Sequence, residues 1–586
     1  MIIKTEFTDG HGKGEVADHH DIEPQSPGLL GAGSFMLRRP SLSSDQPINN
    51  LVTPLLTDMY QVTMAYAYYM TGRHEEQAVF DLFFRRNPFG GEFTVFCGLD
   101  QVLRHATNFR FSESDVGYLR TLLKPPNDKE KLALHESFFE DYIKNLDCSG
   151  VRILSVAEGT VVFPKEPLLR VEGPLGVCQL LETTFLTLVN YPSLVATNAA
   201  RHVLAAGPGI SGKKPQLLEF GLRRAQGPDG GYSASKYCLI GGFHATSNCM
   251  AGKLLGVPVR GTHAHSFVQT FTSLDDVRNC TLDGVNLVEK TLNYRKMLGG
   301  IYASTNDGEL AAFISYASSF PDSFLCLIDT YETLQSGVRN FVMVSLVLSD
   351  LGYTPAGVRL DSGDLAYLSL ECDTVFKEIA ARFDLPFFRN LGIVASNDIN
   401  EEVLHALSKQ PHALTSFGIG TNLVTCQAQP ALGCVYKLVE INGKPRIKLS
   451  QDIIKVTIPG KKNIYRLYGA KNEPILDLLV GDGDEIPVAG KKILCRHPFM
   501  AQKRALVLPS KVESLLNVVF DREKGLVVKE ATIDEARVRV SSQMNSMRTD
   551  ILRHLHPAPY KVSVTDGLFK YLHSLWLEES PIMELS

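Results

Sequence analysis

Seven apolar, β-rich runs between residues 216 and 424 constrain the fold of this 586-residue chain more than any other feature. Each run ends in polar or glycine residues, and a segment with helical spacing usually follows it. In order, the runs are QLLEFGLRRAQG, YCLIGGFHATSN, GVPVRGTHAHSF, FLCLIDTYET, PAGVRLDSGDL, NLGIVASNDINEE and LTSFGIGTNLV. Strands that alternate with helices predict parallel strands with crossover connections. We therefore predict an α/β fold with an irregular parallel β/α barrel.

Two of the connecting segments carry clear helical signals. After ASND, Asp398 and Glu401 have the spacing of a capping box, with apolar residues behind them. After RLDSGD, apolar residues recur at three- and four-residue steps, which predicts a helix with one buried face. That stripe consists of Leu365, Leu368, Cys372, Val375, Ile379 and Phe383.

The polar ends of the runs are candidates for one shared site, because barrel strands end on the face that carries chemistry. Phosphate binding in such barrels favours the loops after the last strands, where backbone N–H groups and a helix start can face an anion. Gly418, Gly420 and Thr421 close the series in that place. A lone G-x-G is also compatible with a structural turn, but its position favours a phosphate site.

Two histidines, His263 and His265, lie two residues apart in the third run. The residues alone leave three interpretations open: two metal ligands, one catalytic base beside a bystander, or two packed imidazoles. A metalloenzyme needs more ligands than these two, and no second cluster offers them at a matching spacing.

The segments on either side of the runs differ from them in pattern. LLTDMYQVTMAYAYYMTG predicts a helix that begins at Thr57 or Asp58 and ends at Gly72. AVFDLFFRRNPFGGEFTVFCGL predicts two antiparallel strands around a Pro-Phe-Gly-Gly turn, and the chain after Cys426 alternates like antiparallel strands.

These patterns predict four parts, with an α+β domain built from segments before and after the barrel. They are a disordered extension at 1–50, an amino-terminal α+β domain at 51–200, a catalytic β/α barrel at 201–430 and a carboxy-terminal segment at 431–586 that packs on the amino-terminal domain.

Composition excludes several classes of function. A formal net charge of -5 gives no electrostatic case for nucleic acid binding. The 11 cysteines include no C-x-x-C pair, and no apolar run reaches the roughly 18 residues of a membrane span. The acidic residues of the first fifty positions disfavour a mitochondrial transit peptide. We expect a cytosolic protein that binds neither nucleic acid nor membrane.

Eight motifs, spread in order from Leu55 to about Ser450, together resemble the nicotinate phosphoribosyltransferases, a family of type II phosphoribosyltransferases. The family more often has an apolar residue at the place of His263, so the resemblance selects His265. The stretch at 273–290 looks like a variable insertion. The motifs are LLTDMYQ, LFFRRNPFGG, LVATNAAR, LEFGLRRAQGPDGG, GTHAHSF, GVRLDSGDL, GIGTNLVTC and YKLVEINGKPRIKLS.

The resemblance implies an enzyme of NAD biosynthesis that salvages nicotinate. Its reaction joins the pyridine nitrogen to C1 of phosphoribosyl pyrophosphate, and it releases pyrophosphate. The resemblance further implies ATP as a coupled co-substrate, Mg²⁺ or Mn²⁺ as cofactor, and a homodimer with shared active sites.

Each site residue then has an expected role. His265, as a transient phosphohistidine, and Asp361 are the expected catalytic residues. Tyr60 from the neighbouring subunit, Phe220, Thr262 and Arg359 are expected to bind nicotinate. Metal ligands are not assigned. The expected phosphoribosyl pyrophosphate-binding residues are Arg223, Asn397, Asp398, Gly418, Gly420 and Thr421.

Simpler roles compete with these assignments. The pair Arg223 and Arg224 has the composition of a solvated surface, and an aspartate followed by Ser-Gly-Asp is often a helix cap. A sister enzyme acting on nicotinamide or quinolinate, and a metabolite sensor without turnover, are the alternative functions.

Overall fold

The structure is a computed structural model that describes residues 49–123, 135–450 and 452–580. The described residues form sheets of seven, six and six strands, together with two small two-stranded sheets. The extension predicted at 1–50 lies outside the described residues, apart from Asn49 and Asn50.

Most strands are short, with two to eight residues. In chain order they are β1 (Gln77–Phe84), β2 (Thr94–Val95), β3 (Arg152–Ser155), β4 (Val161–Val162), β5 (Leu169–Pro174), β6 (Gln216–Glu219), β7 (Ala245–Thr246), β8 (Thr281–Leu282), β9 (Val285–Asn286), β10 (Leu325–Leu327), β11 (Gly357–Leu360), β12 (Gly392–Ala395), β13 (Ser416–Ile419), β14 (Cys434–Ile441), β15 (Lys444–Pro445), β16 (Lys462–Tyr468), β17 (Pro474–Gly481), β18 (Ile493–Arg496), β19 (Arg504–Val507), β20 (Lys511–Ser514), β21 (Asn517–Asp521), β22 (Gly525–Leu526) and β23 (Val562–Val564).

The helices separate and cover these strands. In chain order they are α1 (Met59–Met70), α2 (Leu99–Thr107), α3 (Glu113–Leu123), α4 (Leu175–Leu180), α5 (Glu182–Ala205), α6 (Gly227–Ile240), α7 (Cys249–Leu255), α8 (His265–Gln269), α9 (Leu287–Leu298), α10 (Asp307–Ser319), α11 (Val338–Asp350), α12 (Leu365–Phe383), α13 (Glu401–Leu407), α14 (Thr421–Thr425), α15 (Ile533–Ser546) and α16 (Asp566–Glu579). Among the described residues, no helix combines the length and apolar character needed to span a bilayer.

Short 3₁₀ and π-helical turns join the main elements. The π turns are Phe138–Tyr142 and Thr333–Gly337. The 3₁₀ turns are Ile143–Asn145, Leu222–Arg224, Leu274–Val277, Gly300–Ser304, Pro321–Ser323, Pro386–Asn390 and Ile453–Lys455.

Six of the seven predicted runs contribute strands to one parallel sheet, whose order is β10-β11-β12-β13-β6-β7. The third run contributes only a parallel bridge from Val259 to Thr246. Two backbone hydrogen bonds flank that bridge, through Pro258 and Arg260, and the chain then leaves the sheet edge. The prediction of seven strands is therefore wrong by one.

The strand predicted for the second run is also too long. Tyr237–Ile240 is the last turn of α6, and only Ala245 and Thr246 are extended. A short buried apolar run has the same composition in either conformation, so composition could not separate the two. Among the described residues no strand pairing joins β7 to β10, and closure into a barrel stays a prediction.

The seven-stranded sheet combines both ends of the chain, in the order β15-β14-β1-β5-β3-β21-β22. The predicted hairpin between β1 and β2 is wrong, because β1 pairs with β14 and β5, and β2 pairs with β4. Seven of the eight β1 residues are buried, so this strand needs neighbours on both edges and both faces. The domain boundaries themselves stay a prediction.

The carboxy-terminal residues form the third sheet, ordered β19-β18-β23-β17-β16-β20. The amphipathic helix α16 packs on it through Leu568, Phe569, Leu572 and Leu575. This sheet lies wholly after the parallel sheet in the chain.

The predicted helix starts are confirmed in part. α1 has Asp58 at its N-cap, and α12 buries Leu365, Cys372, Val375 and Ile379 as its spacing predicts. The capping box at α13 is wrong, since Asn400 caps that helix by accepting from the N–H of Val403.

Candidate active site

The parallel strands bring seven polar loop segments to one edge of the sheet. Parallel strands end on the same edge, so the residues that follow them lie near one another. Those residues are Phe220 after β6, Asn248 after β7, Asp329 after β10, Asp361 after β11, Asn397 after β12 and Gly420 after β13, with the 260–265 segment beside β7.

Arg359 is held in place by the loop that carries the two histidines. Its Nη1 donates to Oγ1 of Thr262 at 3.0 Å, and its Nη2 donates to the carbonyl oxygen of His263 at 3.1 Å. Its Nε is buried and has no hydrogen-bond partner within the described residues. Burial lowers the pKa of Arg359, and Asp361 and Asp329 oppose that effect. A buried, charged donor without an acceptor favours an anionic ligand.

His263 is a packed imidazole. It is 9% exposed, and its ring lies 4.8 Å from that of Tyr316 and 5.4 Å from that of Phe267. Its Nε2 accepts from the N–H of Leu327 at 3.4 Å. Burial lowers its pKa to about 4, so the ring is neutral at pH 7. With its Nε2 facing a backbone donor, the two-histidine metal site loses a ligand.

His265 instead faces the sheet edge. It begins α8 and is 39% exposed, and its Nε2 lies 3.4 Å from Oδ1 of Asp329. The Asp329 side chain is only 2% exposed. Oδ1 of Asp329 is buried and accepts no hydrogen bond from a described residue, so the His265 ring is the polar group that faces it.

Asp329 also joins two neighbouring strand ends. Its Oδ2 accepts from the N–H of Asp361 at 3.0 Å and from Oγ of Ser362 at 2.5 Å. Oδ1 of Asp361 accepts from Oγ of Ser396 at 2.7 Å. The carboxylates of β10 and β11 are therefore fixed in one network, and Asp361 is not the cap of α12, a role that Asp364 has.

Phe220 and Gly418 are packed against each other. A Cβ on Gly418 would lie 2.5 Å from Cε2 of Phe220, closer than real side chains approach. The missing side chain thus makes room for the half-buried ring. Gly420 precedes α14, and Thr421 is its first residue. A role for these residues in phosphate binding stays a prediction.

The other predicted residues lie in three places. Arg223 is exposed in the turn after β6 and lies close enough to lower the pKa of Arg359. Asn397 and Asp398 follow β12, and Asp398 has a left-handed backbone with φ of 40°. Tyr60 is 49% exposed on α1, where Glu182 and Thr183 are among its neighbours. Both neighbours lie at the start of α5.

Family models for nicotinate phosphoribosyltransferase match three parts of the chain. The N-terminal domain model matches residues 55–190, the family model residues 215–472 and the C-terminal domain model residues 461–572. "Nicotinate phosphoribosyltransferase 2" of Arabidopsis thaliana is 50% identical over 556 residues, covering 92% of this chain and 97% of its own. The chain belongs to the nicotinate phosphoribosyltransferase family.

Two further members of the family agree with this assignment. "Nicotinate phosphoribosyltransferase" of Dictyostelium discoideum is 51% identical over 553 residues, covering 92% of this chain and 91% of its own. The crystal structure of human nicotinic acid phosphoribosyltransferase superposes with a TM-score of 0.78 at 40% identity, covering 89% of this chain and 99% of that one. The chain is an enzyme of the nicotinate phosphoribosyltransferase family.

Three buried carboxylates near the ends of the parallel strands are not predicted from the sequence. Asp329 follows the apolar run LCLI as Asp361 follows VRL, so the signal that selected one applied to the other. Glu219 and Glu309 are fully buried acids inside apolar segments, and such an acid indicates an organised polar network.

Hydrogen-bond donors from neighbouring elements hold both glutamates. Oε2 of Glu219 accepts from Oγ1 of Thr246 at 2.5 Å and Oγ of Ser235 at 2.9 Å. Oε2 of Glu309 accepts from Ser336 at 2.6 Å and Asn340 at 3.0 Å. Burial raises the pKa of Glu309 to about 7, with Asp329 adding to the rise.

Proposed function

We propose that this enzyme forms nicotinate mononucleotide from nicotinate and 5-phosphoribosyl 1-pyrophosphate, releases pyrophosphate and couples the reaction to ATP hydrolysis. The observation that carries the proposal is the half-buried Arg359, fixed by Thr262 and His263, whose buried Nε–H has no acceptor among the described residues. The relatives in the family are named for nicotinate, the acid that this proposal gives as the substrate. The barrel form of the parallel sheet is part of this proposal.

The carboxylate of nicotinate supplies the acceptor that Arg359 lacks. A charged pair with a guanidinium is shorter and stronger than a neutral hydrogen bond. Phe220, placed beside this edge by the absence of a side chain on Gly418, offers a flat face for the pyridine ring. Nicotinamide has no negative charge to pair with Arg359. Quinolinate has a second carboxylate, for which Arg359 and Phe220 offer no partner, so nicotinate fits best.

Asp361 faces the ribosyl centre in this proposal. C1 gains positive charge as pyrophosphate leaves, and a fixed carboxylate stabilises such a charge. Ser396 holds Oδ1 of Asp361, whereas Oδ2 accepts no hydrogen bond from a described residue. Carboxylate oxygen is the donor that Mg²⁺ and Mn²⁺ prefer, so Asp361 fits an ion that neutralises the leaving pyrophosphate. Arg223, Asn397, Asp398, Gly420 and Thr421 border the same edge for the remaining phosphates and hydroxyls.

His265 accepts the γ-phosphoryl group of ATP. In this proposal the proton of the neutral ring is on Nε2, the nitrogen that faces Oδ1 of Asp329 at 3.4 Å, and the Nδ1 lone pair is free to attack. Nδ1 bonds to the γ-phosphorus while the bond to the bridging oxygen breaks and ADP leaves with that oxygen. Water then cleaves the phosphohistidine to phosphate and restores the imidazole.

The substrate assignment is tested with purified protein, phosphoribosyl pyrophosphate and Mg²⁺, supplied with nicotinate, nicotinamide or quinolinate, each with and without ATP. We expect nicotinate mononucleotide as the main product and a higher affinity for substrate when ATP is present. Comparable turnover of nicotinamide would refute the role of Arg359.

The ATP step is tested by a matched pair of variants in one loop. His265→Ala should abolish ATP hydrolysis and the ATP-driven gain in affinity. His263→Ala should keep ATP hydrolysis, with reduced stability because His263 is packed. Equal loss of ATP hydrolysis in two folded variants would contradict the assignment to His265.

The shared site of a homodimer is tested by mixing chains. Tyr60 is 49% exposed on α1, as a residue that contacts a partner's site would be. Tyr60→Ala and His265→Ala chains, each without ATP-coupled nucleotide formation, should regain that coupled activity in mixed dimers, because one of two composite sites is then intact. No recovery, with subunit exchange demonstrated, would mean that each chain builds its site alone.

A further inference from the structure

A second cluster of titratable side chains lies outside the strand-end network. Glu401 and His405 are one turn apart on α13, and His554 reaches them from the segment after α15. One potential ligand atom from each lies within 4.8 Å of the other two. Residues four apart share a helix face, so α13 alone presents a carboxylate beside an imidazole.

Nδ1 of His554 faces two groups with opposite requirements. Oε1 of Glu401 lies 2.8 Å away, and Nη2 of Arg201 lies 3.3 Å away. A protonated Nδ1 can donate to the carboxylate but offers no lone pair to the guanidinium. An unprotonated Nδ1 accepts from Arg201 but turns its lone pair toward the carboxylate oxygen. A neutral imidazole therefore satisfies one of these contacts at the expense of the other.

A metal ion would bind the lone pairs of Nδ1 and of Oε1 that otherwise face each other, while Arg201 keeps its separate hydrogen bond to Oε2 of Glu401. We propose that Oε1 of Glu401, a nitrogen of His405 and Nδ1 of His554 bind a divalent transition metal ion of the zinc type, with water as fourth ligand. Oε1 of Glu401 lies 3.8 Å from Nε2 of His405 and 2.8 Å from Nδ1 of His554. Tetrahedral zinc separates its nitrogen and oxygen ligands by roughly 3.4 Å, so the two distances bracket that value.

The surrounding charges fit such an ion. Arg201, whose side chain is 4% exposed, donates from Nε to the other carboxylate oxygen of Glu401 at 2.8 Å and so orients it.

The ligand atoms distinguish this site from the Mg²⁺ or Mn²⁺ site proposed at Asp361. Two imidazoles and one carboxylate favour zinc, nickel, copper or cobalt, whereas Mg²⁺ prefers an all-oxygen shell. The site would join the segment after α15 to α13, so metal binding should stabilise the folded chain. It does not depend on the proposed substrate.

Zinc binding by the full, untagged chain tests the proposal. After chelator treatment and dialysis, the protein is titrated with Zn²⁺ by calorimetry and, separately, with Co²⁺ while its visible absorption is recorded. We expect one specific site, tetrahedral cobalt absorption and a zinc-dependent rise in Tm. His405→Gln and His554→Gln should each lose these signals.

His405→Gln is the decisive variant, because it leaves Arg201, Glu401 and His554 in place and changes a half-buried side chain. His556→Asn is the matched control, since it lies in the same segment and asparagine tolerates the left-handed backbone that His556 adopts, with φ of 49°. It should bind zinc like the wild type. The histidines at positions 11, 19 and 20 are present in every variant, so any binding by them cancels in the comparison. Undiminished zinc affinity in folded His405→Gln would overturn the proposal.

Discussion

Replacing Asp329 by asparagine tests the contribution of the strand-end network to the proposed ATP step. The substitution keeps the shape of the side chain and removes its charge. His265 lies 3.4 Å from Oδ1 of Asp329, and in the proposed step the ring gains positive charge as Nδ1 attacks phosphorus. The lost attraction therefore acts mainly on the transition state of phosphorylation.

The size of the effect follows from this distance. Two unit charges 3.4 Å apart attract by about 5 kcal/mol at an effective dielectric constant near 20. His265 is 39% exposed, and solvent screening reduces the value to roughly 2 kcal/mol. That energy corresponds to a roughly 30-fold fall in the rate of ATP hydrolysis.

The assay compares ATP hydrolysis with ATP-independent nucleotide formation in the same preparation. Asp329→Asn should lower the first roughly 30-fold and leave the second much less affected. Asp364→Asn is the control, because Asp364 caps α12 through the N–H of Tyr367 and asparagine caps a helix equally well. Unchanged ATP hydrolysis in Asp329→Asn, or equal loss of both activities, would refute this account of Asp329.

Three further predictions concern the pocket and stability. Gly418→Ala displaces the Phe220 ring and should raise KM for nicotinate, measured in steady-state assays. Thr262→Val removes the hydroxyl that orients Nη1 of Arg359 and should raise the same KM roughly 10-fold, because a misplaced guanidinium pairs less well with the carboxylate and loses about 1.4 kcal/mol of binding. Burial lowers the pKa of His105 to about 4, so the unfolded chain binds the proton more tightly. Stability should fall as the pH falls from 6.5 toward 4, by roughly 2 kcal/mol at pH 5, and urea unfolding at pH 7.5 and 5 should show a smaller fall in His105→Leu.

Each of these predictions has its own control and contrary result. Gly117→Ala places a methyl group in open space on α3 and should leave KM unchanged. Thr262→Ser keeps the hydroxyl, and a KM like that of Thr262→Val would show that the hydroxyl is not the cause. For His105, an identical loss of stability between pH 7.5 and 5 in wild type and variant would exclude this histidine as the source.

The parallel sheet could be predicted because its signals are local. Six runs of apolar residues became strands in sequence order, and α12 buries the face that its spacing indicated. The failures occurred where distant contacts decide. β1 is covered by strands from elsewhere in the chain rather than by β2, and Val259 forms a bridge without a strand because the loop turns toward Arg359.

The residues of the candidate site were predictable from local motifs, whereas their contacts with distant segments were not. The resemblance singled out His265 and Arg359, and the structure brings both to one edge with Asp361. The pairing of Asp329 with His265 depends on two segments separated by more than sixty residues of loops and helices, which spacing does not record. Burial, which makes His263 a packed ring, is likewise a property of neighbours such as Tyr316 and not of the motif.

The seven-stranded sheet has a consequence for how the chain is made. The N–H of Gln77 donates to Asn442, 365 residues further along the chain. During synthesis on the ribosome, β1 must therefore wait for β14 while the whole parallel sheet emerges between them. Such late pairing is slow and leaves apolar strands open to aggregation. The amino-terminal segment expressed alone should be insoluble, and it should recover when the carboxy-terminal segment is supplied in the same cell.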